Sequence, residues 1–353
     1  MSHKFAYKWN LADGYPAKGI EKHNLKVFGT FICGGGSTMG YKLAGFDHFG
    51  GVEIDPPIAD IYKTNHHPKY LYLEDIRDFA NKDKFEEELY NLDILDGSPP
   101  CSSFSMAGNR EKDWGKEKVF REGQANQRLD DLFFDYIKLA KKLQPKVVIA
   151  ENVKGILAGN AKVYVKKIKE AFIDAGYQVQ LFLLNSATMG VPQKRERVFF
   201  ICQRNDLRLP ELKLSFNEKP ILYNDIEEGI GKELNKNTLY YKRWAKRINT
   251  DSDFCDICIR TEGGKKSNFS IKLIHKTQIP FTLVSGSDFI KYDKPEFLSN
   301  KELCQIGSFP LDYNFKKIDV KYLIGMSVPP IMTAQISYQI YLQWFKNLNK
   351  NND

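Results

Sequence analysis

The feature that most narrows the fold is a short apolar run, LKVFGTFI, that stops at Gly34-Gly35-Gly36 and gives way to STMGYKLAGF, a stretch of helical composition. Strand, glycine turn and helix in that order open a βα unit. The alternation continues: FGGVEI reads as a strand, PPIADIYKTNH as a proline-opened helix, YLYLEDI as a strand, KFEEELYNL as a helix and LDILDG as a strand. Leu129, Leu132, Phe133, Tyr136, Ile137, Ala140 and Leu143 recur at three- and four-residue steps, which marks an amphipathic helix ending before Pro145. KVVIAEN, a helix near VYVKKIKEAFIDAG, YQVQLFLL and RVFFIC bring the total to about seven strands by Cys202. This pattern predicts an α/β fold with a doubly wound, mainly parallel, seven-stranded Rossmann-like sheet.

Beyond Gln203 the alternation fades into RNDLRLPELKLSFNEKP and KRWAKRINTDSDFCDICIRTEGGKKSN, rich in Lys, Arg, Asn and aromatic residues but without period. A smaller, loop-rich, basic second domain is expected there. Helical periodicity returns after Pro330 in IMTAQISYQIYLQWFKNL, whose apolar face needs a core to lie against. That segment is expected to return to the first lobe. The 353 residues suffice for about two domains of ~150 residues. The expected boundaries are 1–204 with 318–353 for the sheet domain and 205–317 for the loop-rich one.

With 42% hydrophobic residues the chain can bury sizeable cores, which excludes a disordered protein. Lys and Arg number 52 against 44 Asp and Glu, and the resulting +8 has the sign expected of a protein that meets a phosphate backbone. Cys33, Cys101, Cys202, Cys255, Cys258 and Cys304 are spread without a dense framework, so reduced thiols in a cytoplasmic setting are expected. No apolar run reaches the ~20 residues that cross a bilayer, and no membrane partner is expected.

The glycine turn lies at the carboxyl end of the first strand, where an open sheet of this kind places its ligand, and a nucleotide-like cofactor is the natural occupant. The same glycines would also serve a plain tight turn. Glu53 ends the second strand, a position from which a carboxylate accepts hydrogen bonds from a ribose. GGGSTMG departs from G-x-G-x-x-G, which disfavours a pyrophosphate-binding dehydrogenase. The fourth strand ends in GSPPCSSFSMAG, placing Cys101 behind two prolines at the same edge; read alone, it would be a small buried hydrophobe. Its company changes that reading. Glu151-Asn152-Val153 ends the next strand, and VPQKRERVFFI brings Gln193, Lys194, Arg195 and Arg197. Cys255 and Cys258 have metal-like spacing, but no second pair or suitable histidine completes a tetrahedral set, so no metal is expected.

FICGGGSTMGYKLAGF, VEIDPP, EDIRDF, DGSPPCSSFS, ENVKGIL, PQKRERVFFI, LSNKELCQIGSFP and IGMSVPP, in this order, resemble the cytosine-5 DNA methyltransferase family of bacterial or phage type. The resemblance spans nearly the whole chain. It implies S-adenosylmethionine as methyl donor, with Glu53 on its ribose, Ile54 against the adenine, Asp75 at the adenine amine, and Phe31, Gly35, Gly36, Ile76, Pro100 and Ser327 completing the cofactor site. It further implies Cys101 as nucleophile, Glu151 as the acid at the cytosine ring, Arg197 on the exocyclic oxygen and Arg195 in support. The loop from Ser102 to Gln124 would be a lid over a flipped base, and the basic segment from Asn205 to about Asp288 a target-recognition region.

Three positions depart from the family pattern. Cys33 stands at the first glycine of F-x-G-x-G-G, Ser327 at the Asn of G-N-x-V-P-P, and Glu296 where an Arg often precedes the L-[ST] pair. The expected partner is double-stranded DNA, with the protein a monomer and a cognate restriction endonuclease as companion. An RNA cytosine-5 methyltransferase acting on transfer RNA is the rival in substrate class, and a non-catalytic DNA-binding homologue the rival of another class.

Overall fold

The computed structural model describes residues 3–100, 131–159, 161–265, 267, 270–286 and 288–350. Its seven-stranded sheet comprises β1 (Lys26–Thr30), β2 (Asp47–Glu53), β3 (Tyr70–Leu73), β4 (Ile94–Gly97), β5 (Val147–Val153), β6 (Tyr177–Asn185) and β7 (Glu196–Arg204) in the order β3-β2-β1-β4-β5-β7-β6. The first five strands run parallel and β7 runs antiparallel between β5 and β6. Strand order reverses at the β1–β4 neighbourhood, the crevice in which doubly wound sheets bind ligands. The expected fold class is the one observed.

The helices that flank this sheet are α1 (Gly36–Leu43), α2 (Pro56–His66), α3 (Ile76–Asn81), α4 (Leu132–Leu143) and α5 (Ala161–Asp174). One face of the sheet presents Phe28, Leu95, Val148, Ala150, Phe200 and Cys202 to Phe79 of α3, Phe133, Tyr136 and Leu139 of α4, and Ile168 and Phe172 of α5. These side chains are almost fully buried, and each large one contributes about 1.5–3 kcal/mol by leaving water. Tyr136 also ties the strands, donating to the carbonyls of Leu95 and Ile149 at 2.9 and 2.8 Å.

The helix expected over KFEEELYNL is a short 3₁₀ turn, Glu87–Asn91, and the α-helix of this crossover is α3, upstream. Local chemistry explains the displacement. Asp75 accepts from the amide of Arg77 and so caps α3, whose Ile76, Phe79 and Ala80 bury one stripe, whereas Glu86, Glu87, Glu88 and Asn91 keep the later segment largely polar.

The chain divides into two compact units. The sheet unit holds Gly14–Asn185, Glu196–Phe216 and Thr333–Asp353; the second unit holds Met1–Asp13, Ser186–Arg195 and Asn217–Met332. These limits differ from the boundaries 1–204 with 318–353 and 205–317. Residues 205–216 stay with the sheet because Gln180 clasps Leu212 through two backbone hydrogen bonds and Gln203 clasps Leu209 in the same way. Ser186–Arg195 joins the second unit because Gln193 bonds the backbone of both Leu283 and Ile306, and Lys194 that of Pro280. The N-terminal stretch follows, with Trp9 donating to the carbonyl of Ser308.

The second unit contains α6 (Leu239–Trp244), α7 (Phe254–Glu262), a parallel pair β8 (Lys272–Ile274) and β9 (Phe289–Lys291), α8 (Asn300–Ile306) and α9 (Val320–Met326). Its core gathers Leu234, Trp244, Phe254, Ile257, Leu273 and Ile290. The boundary between the units falls within α10 (Pro330–Ile340). After it, Tyr341 stacks on His23 at 3.6 Å and Phe345 meets Phe46 edge-on, so the C-terminal segment does pack on the sheet unit. No helix among the described residues is long and apolar enough to cross a membrane.

Candidate active site

The carboxyl edge of the sheet begins with an unusual turn. Phe31, Cys33 and Gly35 all take positive φ, 54°, 46° and 76°, and Gly35 caps α1. At Gly35 glycine is required twice over, since a Cβ there would lie 2.1 Å from Nε2 of His66. That imidazole is bonded to the carbonyl of Gly34 at 3.1 Å, and burial pulls its pKa down to about 3, so it stays neutral. Cys33 adopts a conformation that costs an L-residue about 1–2 kcal/mol and that the family's glycine would take freely. Its amide donates to Oε2 of Glu53 at 2.9 Å, so the turn is held to the end of β2.

Glu53 also accepts from the amides of Ile54 and Asp55 on its other oxygen, both at 3.0 Å. Burial raises its pKa, and the three amide bonds oppose that rise. Two carboxylate oxygens have about four acceptor positions, so the ring of amides leaves capacity for a hydroxyl. Ile54 beside it is 37% exposed, an apolar surface next to that acceptor. Asp75 caps α3 and pairs with Arg77 at 2.9 Å. A ribonucleoside-bearing group fits this set: a carboxylate for ribose, an exposed aliphatic face for a base and a second carboxylate for an amine. Ile76 is packed in the core at 5% exposure.

At β4 and β5 the backbone positions the chemistry. Asn152, 4% exposed, donates to the carbonyl of Pro99 at 3.1 Å and thereby anchors the segment that follows β4. Cys101 and the segment Ser102–Gln124 lie outside the described residues. Because β7 is antiparallel to β5, its first residues sit beside the last residues of β5, with Arg197 opposite Val153. Glu151 and Arg197 therefore share one face, and Arg197 Nε lies 2.9 Å from Glu151 Oε1, both side chains little exposed at 12% and 13%. Burial lowers the pKa of Arg197 and Glu151 opposes that shift, so the guanidinium keeps its charge.

Arg195 and Ser327 belong to the second unit. The Arg195 guanidinium donates to the carbonyls of Leu283, Gly325 and Ser327 at 3.0 to 3.1 Å, and the Ser327 hydroxyl donates to the carbonyl of Leu323. These bonds fasten Ser186–Arg195 and the end of α9 within that unit, two residues before Arg197 of β7. Cys255 is engaged by backbone, its thiol bonded to the carbonyl of Lys265 and accepting from the amide of Ser267. Two buried polar residues at this edge of the sheet escaped sequence reasoning. Asn152 was visible beside Glu151 in the Glu-Asn-Val triplet but carried no role; Asp96 had no signal except an acid inside an apolar strand.

Residues 25–342 match the family of C-5 cytosine-specific DNA methylases. This chain belongs to that family. It is 28% identical over 334 residues to the type II methyltransferase M1.HphI of Haemophilus parahaemolyticus, a match covering 89% of this chain and 86% of that one. It is 36% identical over 192 residues to the type II methyltransferase M.FnuDI of Fusobacterium nucleatum, which covers 54% and 51%. Against M.FnuDI the matched stretch spans about half the relative's length. Among solved structures, a mutant of Spodoptera frugiperda DNMT2 shares the fold with a TM-score of 0.61 and 18% identity, over 90% of this chain and all of that one (100%).

Proposed function

We propose that this protein is an S-adenosylmethionine-dependent DNA (cytosine-5)-methyltransferase with double-stranded DNA as substrate. The observation that carries the reading is the Glu151–Arg197 pair at the carboxyl edge of β5, together with the Pro-Pro segment that Asn152 anchors and that precedes Cys101 in sequence. Carbon 5 of cytosine is a poor nucleophile until something adds to carbon 6, and the Cys101 thiolate performs that addition. Glu151 holds a proton at ring nitrogen 3 and so stabilises the enamine, while Arg197 binds the exocyclic oxygen. The bound cofactor supplies an electrophilic methyl group. Loss of the carbon 5 proton then lets the thiol leave. The target base must first leave the duplex stack, at a cost of a few kcal/mol.

Glu53, Ile54 and Asp75 are the residues that hold the cofactor, with the left-handed turn at Phe31–Gly35 bringing backbone close to it. Residues of the second unit, with the basic segment from Asn205 to about Asp288, read the DNA site. The named type II relatives make a cognate restriction endonuclease the expected companion. Bisulfite sequencing of DNA from cells that express the chain tests the activity and reports the site at once. Unmodified DNA from cells with abundant folded protein, or modification of transfer RNA alone in a parallel assay, would overturn the reading.

Glu53→Ala is expected to weaken cofactor binding by ~1.5–3 kcal/mol for each charge-assisted bond lost, about 10- to 150-fold. DNA affinity without cofactor should hardly change. Since the pKa of Glu53 is raised, cofactor affinity in the intact protein should fall with decreasing pH at a value above the usual carboxylate range. Calorimetry across pH checks both, and an unaltered dissociation constant in Glu53→Ala removes the residue from the site.

A further inference from the structure

The second unit holds four arginines, and every one of them is committed to protein. Arg195 bonds the carbonyls of Leu283, Gly325 and Ser327. Arg243 of α6 gives Nε and Nη2 to the two carboxylate oxygens of Glu262 in α7, at 3.2 and 2.7 Å. Arg260 meets Asp251 at 2.6 Å and the carbonyl of Lys246 at 2.9 Å. Arg247 lies 3.4 Å over the ring of Trp244 and donates to the carbonyls of Trp244 and Tyr292. A guanidinium reads a guanine edge through two parallel donors, and the donors of these side chains are already engaged.

The acids of the same stretch are engaged as well. Asp251 pairs with Arg260, Asp253 with Lys272 at 2.6 Å and Glu262 with Arg243, while Asp256 accepts from the amide and the hydroxyl of Ser252, both at 2.8 Å. Between residues 234 and 262 this leaves Lys236, Lys242 and Lys246, all exposed and without an ion-pair partner among the described residues. Upstream, Lys232 and Glu233 offset each other.

The three lysines are gathered on one element. Tyr241 and Trp244 turn one side of α6 to the core, so Leu239, Lys242 and Lys246, at three- and four-residue steps, fall on the side away from it. Lys236 stands in the turn that caps this helix, where the Thr238 hydroxyl accepts from the amide of Tyr241 and donates to the carbonyl of Asn235. Beside the lysines, Leu239 and Tyr240 are 53% and 44% exposed. We propose that this outer face of α6 is the surface on which the second unit holds the backbone of duplex DNA, with Lys236, Lys242 and Lys246 on phosphates and Leu239 and Tyr240 packed against the sugars beside them. The inference rests on duplex DNA being the substrate. Charge decides the occupant: a second copy docked through the same face would set these lysines against one another, whereas a phosphate backbone complements them. An ammonium is a rotatable point donor that carries no base pattern, so the face fixes where the duplex lies and leaves the choice of sequence to other groups.

The test is DNA binding by the full chain as salt is varied. In Lys236→Gln/Lys242→Gln/Lys246→Gln the plot of log K against log salt should be shallower by about 2.7, at ~0.9 per phosphate contact, and affinity near 0.1 M salt weaker by about 10²- to 10³-fold. Lys242→Gln alone should lower the slope by about 0.9. Cofactor affinity, kcat at saturating DNA and the methylated sequence should not change. Lys141→Gln/Lys162→Gln/Lys167→Gln, which alters exposed lysines of α4 and α5, makes the same change in net charge and should leave the slope alone. Leu239→Ser/Tyr240→Ser should weaken binding at an unaltered slope. An unchanged slope in the α6 variant, an equal fall in the α4 and α5 variant, or a shifted methylation sequence overturns the inference while the methyltransferase reading stands. If the unaltered protein binds no duplex DNA at any salt concentration, the substrate assignment fails and this surface with it.

Discussion

Cys101→Ser is expected to slow methyl transfer by at least ~10³-fold while DNA binding largely survives. An ordinary cysteine thiol is a few per cent thiolate near neutral pH and intrinsically very nucleophilic, whereas a serine hydroxyl is scarcely ionised there. DNA binding draws chiefly on phosphate contacts elsewhere, which the substitution leaves alone. The covalent step can be caught through the substrate. Duplex DNA with 5-fluorocytosine at the target accepts the thiolate and the methyl group, but fluorine does not depart as a cation, so elimination is blocked. Denaturing electrophoresis should then show a protein–DNA band that requires S-adenosylmethionine, vanishes in Cys101→Ser and weakens strongly in Glu151→Gln. Near-normal turnover of Cys101→Ser would end the covalent assignment, and an adduct peptide containing Cys33, Cys255 or Cys258 would move it to another residue.

Lys291→Met should destabilise the second unit by about 3–5 kcal/mol, the cost of stranding a buried charge. Lys291 is fully buried (0%), with Nζ 3.1 Å from Glu302 and 3.3 Å from Glu296. Burial lowers its pKa, but the two carboxylates outweigh burial and carry it above the ordinary value. Glu302, also 0% exposed, accepts from the Tyr223 hydroxyl at 2.7 Å and from the amide of Ser299 at 2.6 Å, so it cannot turn to water when the lysine is lost. Amide exchange over residues 289–306 should accelerate by roughly 10²- to 5 × 10³-fold. The double variant Lys291→Met/Glu302→Gln should recover much of the loss, since neither buried charge is then unpaired. Equal destabilisation of single and double variants would show that packing, and not charge, holds this region.

This pair also accounts for a departure from the family pattern. Glu296 stands where an arginine is common, and here Lys291 provides the cation that its side chain faces. The Cys33 departure has a conformational cost instead, because its φ of 46° is one that glycine adopts freely. Cys33→Gly should therefore relax the turn, and cofactor affinity measured by calorimetry should rise or stay level; a loss would mean that the thiol itself contributes.

The sheet was legible in the sequence because its signals are local. Buried strands are continuous apolar runs, the crossovers carry helical periodicity, and a left-handed turn asks for glycine within a few residues. The family motifs were legible for the same reason, each being a contiguous stretch whose residue types and order can be read without knowing what lies opposite. The short 3₁₀ turn at Glu87–Asn91 was misread because its composition suits a helix, while the capping of α3 by Asp75 went unnoticed. Unit boundaries were harder still, since the glutamine clasps at Gln180, Gln193 and Gln203 are polar bonds between distant segments that leave no compositional trace.

By itself the sequence determined a doubly wound sheet, the glycine turn, the acid that ends β2 and the Pro-Cys, Glu-Asn-Val and Gln-x-Arg-x-Arg segments in their order. Tertiary structure alone decided which of these meet. The antiparallel run of β7 sets Arg197 against Glu151, the parity of β4 against β5 puts Asp96 on that same face, and Arg195, two residues from Arg197, is committed to carbonyls of the other unit. The reason is physical: strand register and the direction of a side chain depend on packing between segments far apart in the chain, whereas propensity and turn chemistry act between neighbours.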